Sequence, residues 1–383
     1  MSMETVTGDR AALPTIDDVA TRAGVSRQTV SNVLNSPEIV KPETRDRVQD
    51  AIDALGYRPH ASARRLRTRQ SSTIGFRVDP IAANGVSGSV LDRYLHALVE
   101  HADVRGMRVT LFTARDPEDE IRHYARLRDG ADIDAIVLTS TEYDDPRIAW
   151  LARERIPFVA FGRPWGAEGI DDPARLWVDV DGQAGARAAT EHLIGRGLTR
   201  IGWLGWPVGS GTGDDRRAGW AAAMAAAFGH DAAGLAALTT EAEEGVPTAR
   251  VAVEHLLASG SELEALVCAS DSLGLGAMMA VREAGHPHFP VIGFDNTPVA
   301  KAVGLSSVDQ RLDDVARATL ELLMGEQGSR VLPHGAGSER HARLITPQLI
   351  VRRSSHLAPV EEAGGTSAGH AISEAQHDRK ETQ

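Results

Sequence analysis

Two short helical patterns, separated by a turn that contains glycine, occupy residues 15 to 35 and constrain the fold most strongly. In each pattern the apolar residues recur at the spacing of one helix face. They are Ile16, Val19, Ala20 and Ala23 in the first, and Val30, Val33 and Leu34 in the second. Thr15 and Ser26 are predicted N-caps, and Gly24 is predicted to end the first helix. Two helices joined in this way form a helix-turn-helix.

The second helix of a helix-turn-helix lies in the major groove of DNA and reads base edges with its N-terminal residues. Its exposed positions here carry Arg27, Gln28 and Asn32. Arginine matches the O6 and N7 atoms of guanine, whereas glutamine and asparagine match the N6 and N7 atoms of adenine. A helical hairpin with a polar solvent face is the alternative interpretation, and the motif by itself does not separate the two.

The charge of the chain is unevenly distributed. The formal net charge is −12, yet residues 16 to 72 carry ten Lys or Arg against seven Asp or Glu, a net charge of +3. A basic N-terminal segment followed by an acidic remainder is typical of a segment that binds phosphate groups. The acidic remainder would also discourage non-specific adhesion to DNA.

A third helix and a basic segment follow the two helical patterns. Pro42 fits a first helical position and Gly56 a helix end, so residues 42 to 56 are predicted to complete a three-helix domain over residues 15 to 59. Residues 60 to 72 are predicted to form a hinge helix and linker. Leu66 is an apolar side chain among arginines, as in proteins that wedge a side chain into the minor groove. A solvated arginine-rich linker is the alternative.

From Thr73 onwards, short apolar runs alternate with helical patterns, which predicts parallel sheets covered by helices. The pattern indicates two α/β lobes within residues 73 to 353, with a crossover at residues 162 to 175. The second series is predicted to begin with a strand at Trp177–Val180 and to include an apolar run near Leu235–Thr239. Further crossings are predicted within residues 305 to 325 and 341 to 353, and ligands of such folds bind between the lobes.

Composition limits the function further. No apolar run approaches about 18 residues, so no membrane span is expected. The N-terminus lacks the pattern of a secretory signal, and we expect a cytoplasmic, nucleoid-associated protein. The single cysteine, Cys268, lies in an apolar run and is expected to be buried and inert. No cofactor and no metal site are expected, and residues 1 to 14 and 354 to 383 are predicted to be disordered.

The order of these parts resembles the LacI family of transcriptional regulators over roughly residues 15 to 353. The motifs that carry the resemblance are Thr15 to Asn35, Gly56-Tyr57-Arg58-Pro59, Ala63-Arg64-Arg65-Leu66, Arg216-Arg217-Ala218-Gly219 and Val291 to Asn296. The family implies an all-α helix-turn-helix domain followed by a two-lobed α/β body like that of periplasmic binding proteins. It also implies a homodimer, or a dimer of dimers, on a palindromic operator, with a small effector such as a sugar bound between the lobes.

The resemblance assigns roles to individual residues. The DNA-binding positions it implies are Thr15, Ser26, Arg27, Gln28, Thr29, Ser31, Asn32, Tyr57, Ala63, Arg64 and Leu66. The effector-binding positions it implies are Arg216, Asp295, Asp271, Ser270 and Arg163. An arginine fork and a carboxylate suit the vicinal hydroxyl groups of a sugar. Asp295 and, more strongly, Asp271 have a helix-capping interpretation beside the ligand contact, and Arg163 either lines the cleft mouth or braces the crossover.

Other functions are less compatible with the residues. Within the same architecture, a nucleobase or nucleoside effector, or dependence on a corepressor, is an open alternative to a sugar effector. The function classes that fit less well are enzymes and transport proteins. A nucleotide-dependent enzyme would need a phosphate-binding loop, and the glycines at 209, 211 and 213 lack both the G-x-G-x-x-G spacing and a Walker lysine. A solute-binding protein for transport would not need the basic N-terminal segment. We therefore expect a DNA-binding repressor and no enzymatic activity.

Overall fold

The computed structural model describes residues 14–57, 71–78, 88–166, 170, 172, 173, 175–260, 262–326, 328–334 and 341–356. Within these ranges, no helix has the length and apolar character required to cross a membrane.

Three helices form the N-terminal part of the chain. They are α1 (Ile16–Ala23), α2 (Arg27–Asn35) and α3 (Pro42–Leu55). The predicted capping box at the start of α1 is confirmed, because Thr15 Oγ1 accepts the amide of Asp18 at 3.3 Å and the Asp18 carboxylate accepts the amide of Thr15 at 2.8 Å. Gly24 ends α1 at a φ of 63°, as predicted. The three helices bury one shared core, in which Val19, Val30 and Val48 are fully enclosed.

The first lobe is a six-stranded parallel sheet with helices on both faces. Its strands are β1 (Thr73–Val78), β2 (Arg108–Thr113), β3 (Ala135–Leu138), β4 (Phe158–Phe161), β5 (Leu176–Val180) and β11 (Ala342–Ile345), in the order β11-β5-β4-β3-β1-β2. One face packs on α4 (Gly88–Val104) and α13 (Leu312–Met324), and the other on α5 (Pro117–Asp129) and α6 (Pro146–Arg153). Covering both faces explains why the central strands consist of apolar runs.

The second lobe repeats this architecture. Its strands are β6 (Ile201–Gly205), β7 (Thr239–Glu241), β8 (Ala265–Cys268), β9 (Val291–Phe294), β10 (Ser306–Asp309) and β12 (Gln348–Ile350), in the order β12-β10-β9-β8-β6-β7. All neighbours are parallel except β12, which pairs antiparallel with β10. The helices of this lobe are α7 (Gly182–Ile194), α8 (Gly211–Phe228), α9 (Ala232–Ala237), α10 (Val246–Ala258), α11 (Asp271–Glu283) and α12 (Pro298–Val303).

The chain passes between the lobes after β5, after β10 and after β11. The last two crossings lie in the segments that were predicted to contain them. The first was predicted too early, at residues 162 to 175, because Trp177–Val180 was assigned to the second lobe. In the structure β5 pairs with β4, with Val159 opposite Leu176, and therefore closes the first sheet. Chain order alone does not reveal which neighbour a strand pairs with.

The apolar run near Leu235–Thr239 does not form a single strand. Asp231 caps α9, its carboxylate accepting the amide of Gly234 at 2.9 Å, and the strand β7 begins only at Thr239. Local capping at Asp231 therefore decides the conformation of the first half of the run.

A close approach of α10 and α11 should make Gly276 intolerant of substitution. A Cβ on Gly276 would lie 2.4 Å from the backbone oxygen of Val246 and 2.6 Å from the Cβ of Ala249. We expect Gly276→Ala to lower the free energy of unfolding by about 1–3 kcal/mol, the usual cost of overpacking. Urea denaturation followed by circular dichroism measures this change.

The matched control is Gly234→Ala on α9, where the nearest atoms belong to the movable side chains of His230 and Asp231. This change should leave stability unaltered or raise it by up to about 1 kcal/mol, because alanine favours helix over glycine. A Gly276→Ala protein as stable as the unaltered chain would contradict the close helix contact.

Candidate functional site

The candidate DNA-reading residues lie together at the start of α2. Ser26, Arg27 and Gln28 are exposed, and Thr29, Ser31 and Asn32 are partly exposed. Ser26 Oγ accepts the amide of Thr29 at 3.1 Å and so caps the helix. The Gln28 side-chain amide donates to Asn32 Oδ1 at 3.0 Å, which holds these two polar groups side by side. The arrangement presents hydrogen-bonding groups from one helix end, as a groove-reading helix requires.

The other candidate DNA-binding residues have different surroundings. Thr15 is exposed but engaged in the cap of α1. The Tyr57 ring belongs to the core of the three helices and is 7% exposed, and this burial raises the pKa of its hydroxyl. Ala63, Arg64 and Leu66 lie outside the described residues.

A cavity lies between the two lobes, at the carboxyl ends of their strands. Its volume is about 170 Å³. The first lobe contributes residues from α4 and from the ends of β3, β4 and β5, and the second contributes the first turns of α7 and α8. Its lining includes Leu91, Thr141, Phe161, Trp165, Asp179, Thr212, Asp215, Arg216 and Gln310. The carboxyl ends of parallel strands are where α/β folds bind ligands.

Arg216 is the most buried cation in this cavity. Its guanidinium lies 3.7 Å from the ring centre of Phe294 and donates from one terminal nitrogen to the Ala269 carbonyl at 2.6 Å. Burial lowers the pKa of Arg216, and Asp295 lies 3.6 Å away. The Nε–H of Arg216 is enclosed and has no hydrogen-bond partner among the described residues. A buried donor left without an acceptor costs roughly 1–3 kcal/mol, so this atom is suited to an incoming acceptor.

Asp295 follows β9 on a strained backbone. Its φ is 115°, and that of Asn296 is 51°, both rare for residues other than glycine. Gln310, at the second crossing between the lobes, donates to Asp295 Oδ1 at 2.6 Å. Burial raises the pKa of Asp295 to about 7, although Arg216 opposes the shift. The structure thus brings Arg216 and Asp295, two of the predicted effector-binding residues, together.

Asp271 and Ser270 support the site from behind. Ser270 is the N-cap of α11, its hydroxyl accepting the Leu273 amide at 3.2 Å. The fully buried carboxylate of Asp271 accepts the Ser307 hydroxyl at 2.6 Å and the Thr297 amide at 2.7 Å. Neither Asp271 nor Asp295 is among the residues that line the cleft cavities, but Asp295 adjoins the lining residues Arg216 and Gln310. The two hydrogen bonds that Asp271 accepts favour a packing role for it, and the capping role proposed for it belongs to Ser270.

Arg163 connects the two lobes. Its Nε donates to the Asp179 carboxylate of β5 at 2.6 Å, and a terminal nitrogen lies 3.3 Å from the Asp215 carboxylate of α8. Its guanidinium also stacks over Trp165, 4.8 Å from the ring centre. This geometry favours the bracing interpretation over a direct ligand contact.

Sequence reasoning did not find the aromatic and acidic residues of the second lobe. Trp206 follows β6, and its Nε1 donates to Glu244 at 2.7 Å. The Ser270 hydroxyl donates to the same carboxylate oxygen at 2.8 Å. The available signal was positional, because Trp206 and Glu244 both come just after a predicted apolar run and therefore at the carboxyl edge of the sheet.

Two family models match the chain. Residues 15–60 match the model described as bacterial regulatory proteins, lacI family. Residues 90–333 match the model described as periplasmic binding proteins and sugar binding domain of LacI family. The two matches cover the three-helix part and most of the two-lobed body, and so fit the architecture of the structure.

Whole-length relatives agree with these models. The transcriptional regulator CelR of Thermobifida fusca is 32% identical over 90% of this chain and 99% of its own length. A LacI-family regulatory protein from Chloroflexus aggregans is 32% identical, with a TM-score of 0.65 over 74% of this chain and 99% of that one. A CelR–cellobiose complex is 28% identical, with a TM-score of 0.60 over 89% of this chain and all of that one. The chain therefore belongs to the LacI family of DNA-binding transcriptional regulators, and its relatives are regulators rather than enzymes.

Proposed function

We propose that this regulator binds a palindromic operator as a homodimer and is switched by a sugar bound between its lobes. The observation that carries the proposal is Arg216, which lines the cavity between the lobes, lies 3.6 Å from the Asp295 carboxylate and has a buried Nε–H without a hydrogen-bond partner among the described residues. Because the DNA-reading helix α2 and this cleft lie in different parts of one chain, ligand and operator can be bound at the same time. Acting on DNA, the protein is expected in the cytoplasm with the nucleoid.

The chemistry of the cleft supports a polyhydroxylated ligand. Arg216 supplies donors and Asp295 an acceptor, and vicinal hydroxyl groups can satisfy both at once. Trp165 and Phe161 add apolar surface to the lining. Ligand sites commonly combine such apolar walls with a few placed polar groups. The relative CelR, known in complex with cellobiose, supports a sugar as the ligand class.

Contacts across the cleft connect the candidate ligand site of the second lobe to the first lobe. Arg93 of α4 donates from one nitrogen to the backbone oxygens of Asp295 and Asn296, each at 3.0 Å. Arg163 bridges Asp179 and Asp215, also across the lobes. A ligand held by Asp295 therefore acts on the same turn that contacts the first lobe. We propose that lobe closure changes the operator affinity by a coupling free energy of about 1–3 kcal/mol.

Replacing Arg216 tests the ligand site. Arg216→Lys keeps the charge but removes the planar fork and its Nε–H. We expect sugar affinity to fall by about one order of magnitude or more, since a hydrogen bond to a charged group contributes roughly 1.5–3 kcal/mol. Isothermal titration of the full chain with a panel of neutral sugars that includes cellobiose measures the loss.

The matched control is Arg217→Lys, one residue along α8, where the side chain points to Glu241 at 3.8 Å instead of the cleft. This variant should bind sugar as the unaltered chain does. The proposed site would be wrong if Arg216→Lys, folded by its melting temperature, kept full sugar affinity.

Replacing Arg27 tests the DNA-reading helix. Arg27→Lys keeps a positive charge but loses the bidentate match to guanine. We expect the preference for one base in each half-site to relax, at a cost of about 1–3 kcal/mol. Selection from a random duplex library with the full chain, followed by sequencing, measures this preference.

Two outcomes would contradict these predictions, one for the base-reading role of Arg27 and one for the palindromic operator. If Arg27→Lys leaves the base preference intact, Arg27 does not read a base. If the selected sequences show no two-fold symmetry for either protein, the palindromic operator is wrong.

A further inference from the structure

A second, larger cavity adjoins the one that contains Arg216. Its volume is about 530 Å³, and it shares the lining residues Ser140, Thr141 and Thr212 with the inner cavity. The inner cavity alone, at about 170 Å³, is smaller than the roughly 300–1,000 Å³ of typical ligand sites. The cleft therefore offers an inner compartment and an outer compartment that communicate, and the outer one is open to a longer ligand.

The outer compartment has a preorganised polar wall. Trp206 and Glu244 both line it, and the hydrogen bond between them fixes the indole and the carboxylate relative to each other. Ser270 is fully buried and holds the same carboxylate from behind. An indole beside a fixed carboxylate matches a sugar ring, whose C–H face packs on the aromatic surface while its hydroxyl groups donate to the carboxylate.

The charge of the outer wall is negative. Glu142, Glu243 and Glu244 line it, and none of the described residues that line it is a lysine or arginine. A phosphate or carboxylate group on the ligand would meet like charges here, and like-charge juxtaposition is strongly unfavourable. Arg216 borders the inner compartment, 5.5 Å from the Trp206 ring centre, and is already beside Asp295.

We infer that the effector is a disaccharide or longer oligosaccharide without negative charge, bound with one ring in each compartment. The inner ring is held by Arg216 and Asp295. The outer ring packs on Trp206 and donates hydroxyl groups to Glu244. This inference rests on the proposed function and adds the length and charge of the effector to it.

Calorimetric titration of the full chain tests the length and the charge together. The probes are cellobiose, maltose, sucrose, trehalose, lactose and melibiose, with glucose, galactose, fructose and glucose 6-phosphate. We expect one neutral disaccharide to bind at least about tenfold more tightly than either of its constituent monosaccharides, as one added hydrogen bond to a charged group would give. Glucose 6-phosphate should bind more weakly than glucose.

Two variants test whether the outer compartment supplies the additional affinity of the disaccharide over the monosaccharide. Trp206→Ala removes the stacking surface, and Glu244→Gln removes the charge while preserving shape. Each should weaken disaccharide binding by about tenfold more than it weakens monosaccharide binding. The control is Trp150→Ala on α6, which removes a partly buried tryptophan that lines neither cavity and should alter neither affinity.

The contrary outcomes separate this inference from the function on which it rests. A monosaccharide that binds as tightly as every disaccharide, or a sugar phosphate that binds most tightly, would overturn the two-ring effector and leave the sugar-switched regulator standing. Equal losses of monosaccharide and disaccharide affinity in both variants would also overturn the outer compartment. Failure of every probe to bind the folded chain would overturn both.

Discussion

The three passages of the chain between the lobes are the constraint on which the cleft depends. Each follows the carboxyl end of a strand: β5, β10 or β11. Because nearly all strands are parallel, the loops that follow them in both lobes open towards the same gap. The residues with hydrogen-bonding side chains at those loops therefore converge, although they are distant in sequence. Gln310 illustrates this, since it lies at a crossing and donates to Asp295 of the candidate ligand site.

The candidate ligand site contains a buried charge pair, and the Nε–H of its arginine has no hydrogen-bond partner among the described residues. Removing Arg216 and Asp295 from water is costly, and their 3.6 Å separation repays only part of that cost. Burial accordingly raises the pKa of Asp295 and lowers that of Arg216. The Phe294 ring and the Ala269 carbonyl stabilise the guanidinium, yet its Nε–H is left for another acceptor. A site that is incompletely satisfied without ligand can gain more when the ligand arrives.

Resemblance to the motifs of the family led to the prediction of Arg216 and Asp295 as ligand contacts. The helix period led to the prediction that the exposed residues of α2 read bases, because it places them together. It did not find the Trp206–Glu244 pair, whose partners lie on separate loops and meet only through the β6–β7 pairing. It also weighed Asp271 as a ligand contact or a cap. The structure engages that carboxylate with Ser307, which lies on β10, and with Thr297, which follows β9.

The sequence by itself determined the local elements: the capped helices α1 and α2, the alternation of apolar runs and helices, and the basic N-terminal segment before an acidic remainder. These follow from interactions over a few residues, chiefly caps, periodicity and glycine conformation. Only the tertiary structure decided that β5 closes the first sheet, that Arg163 bridges the lobes, and that the cleft has an acidic outer compartment. Those features depend on which strands pair and which loops meet, and such pairings arise from packing between distant segments that no local pattern records.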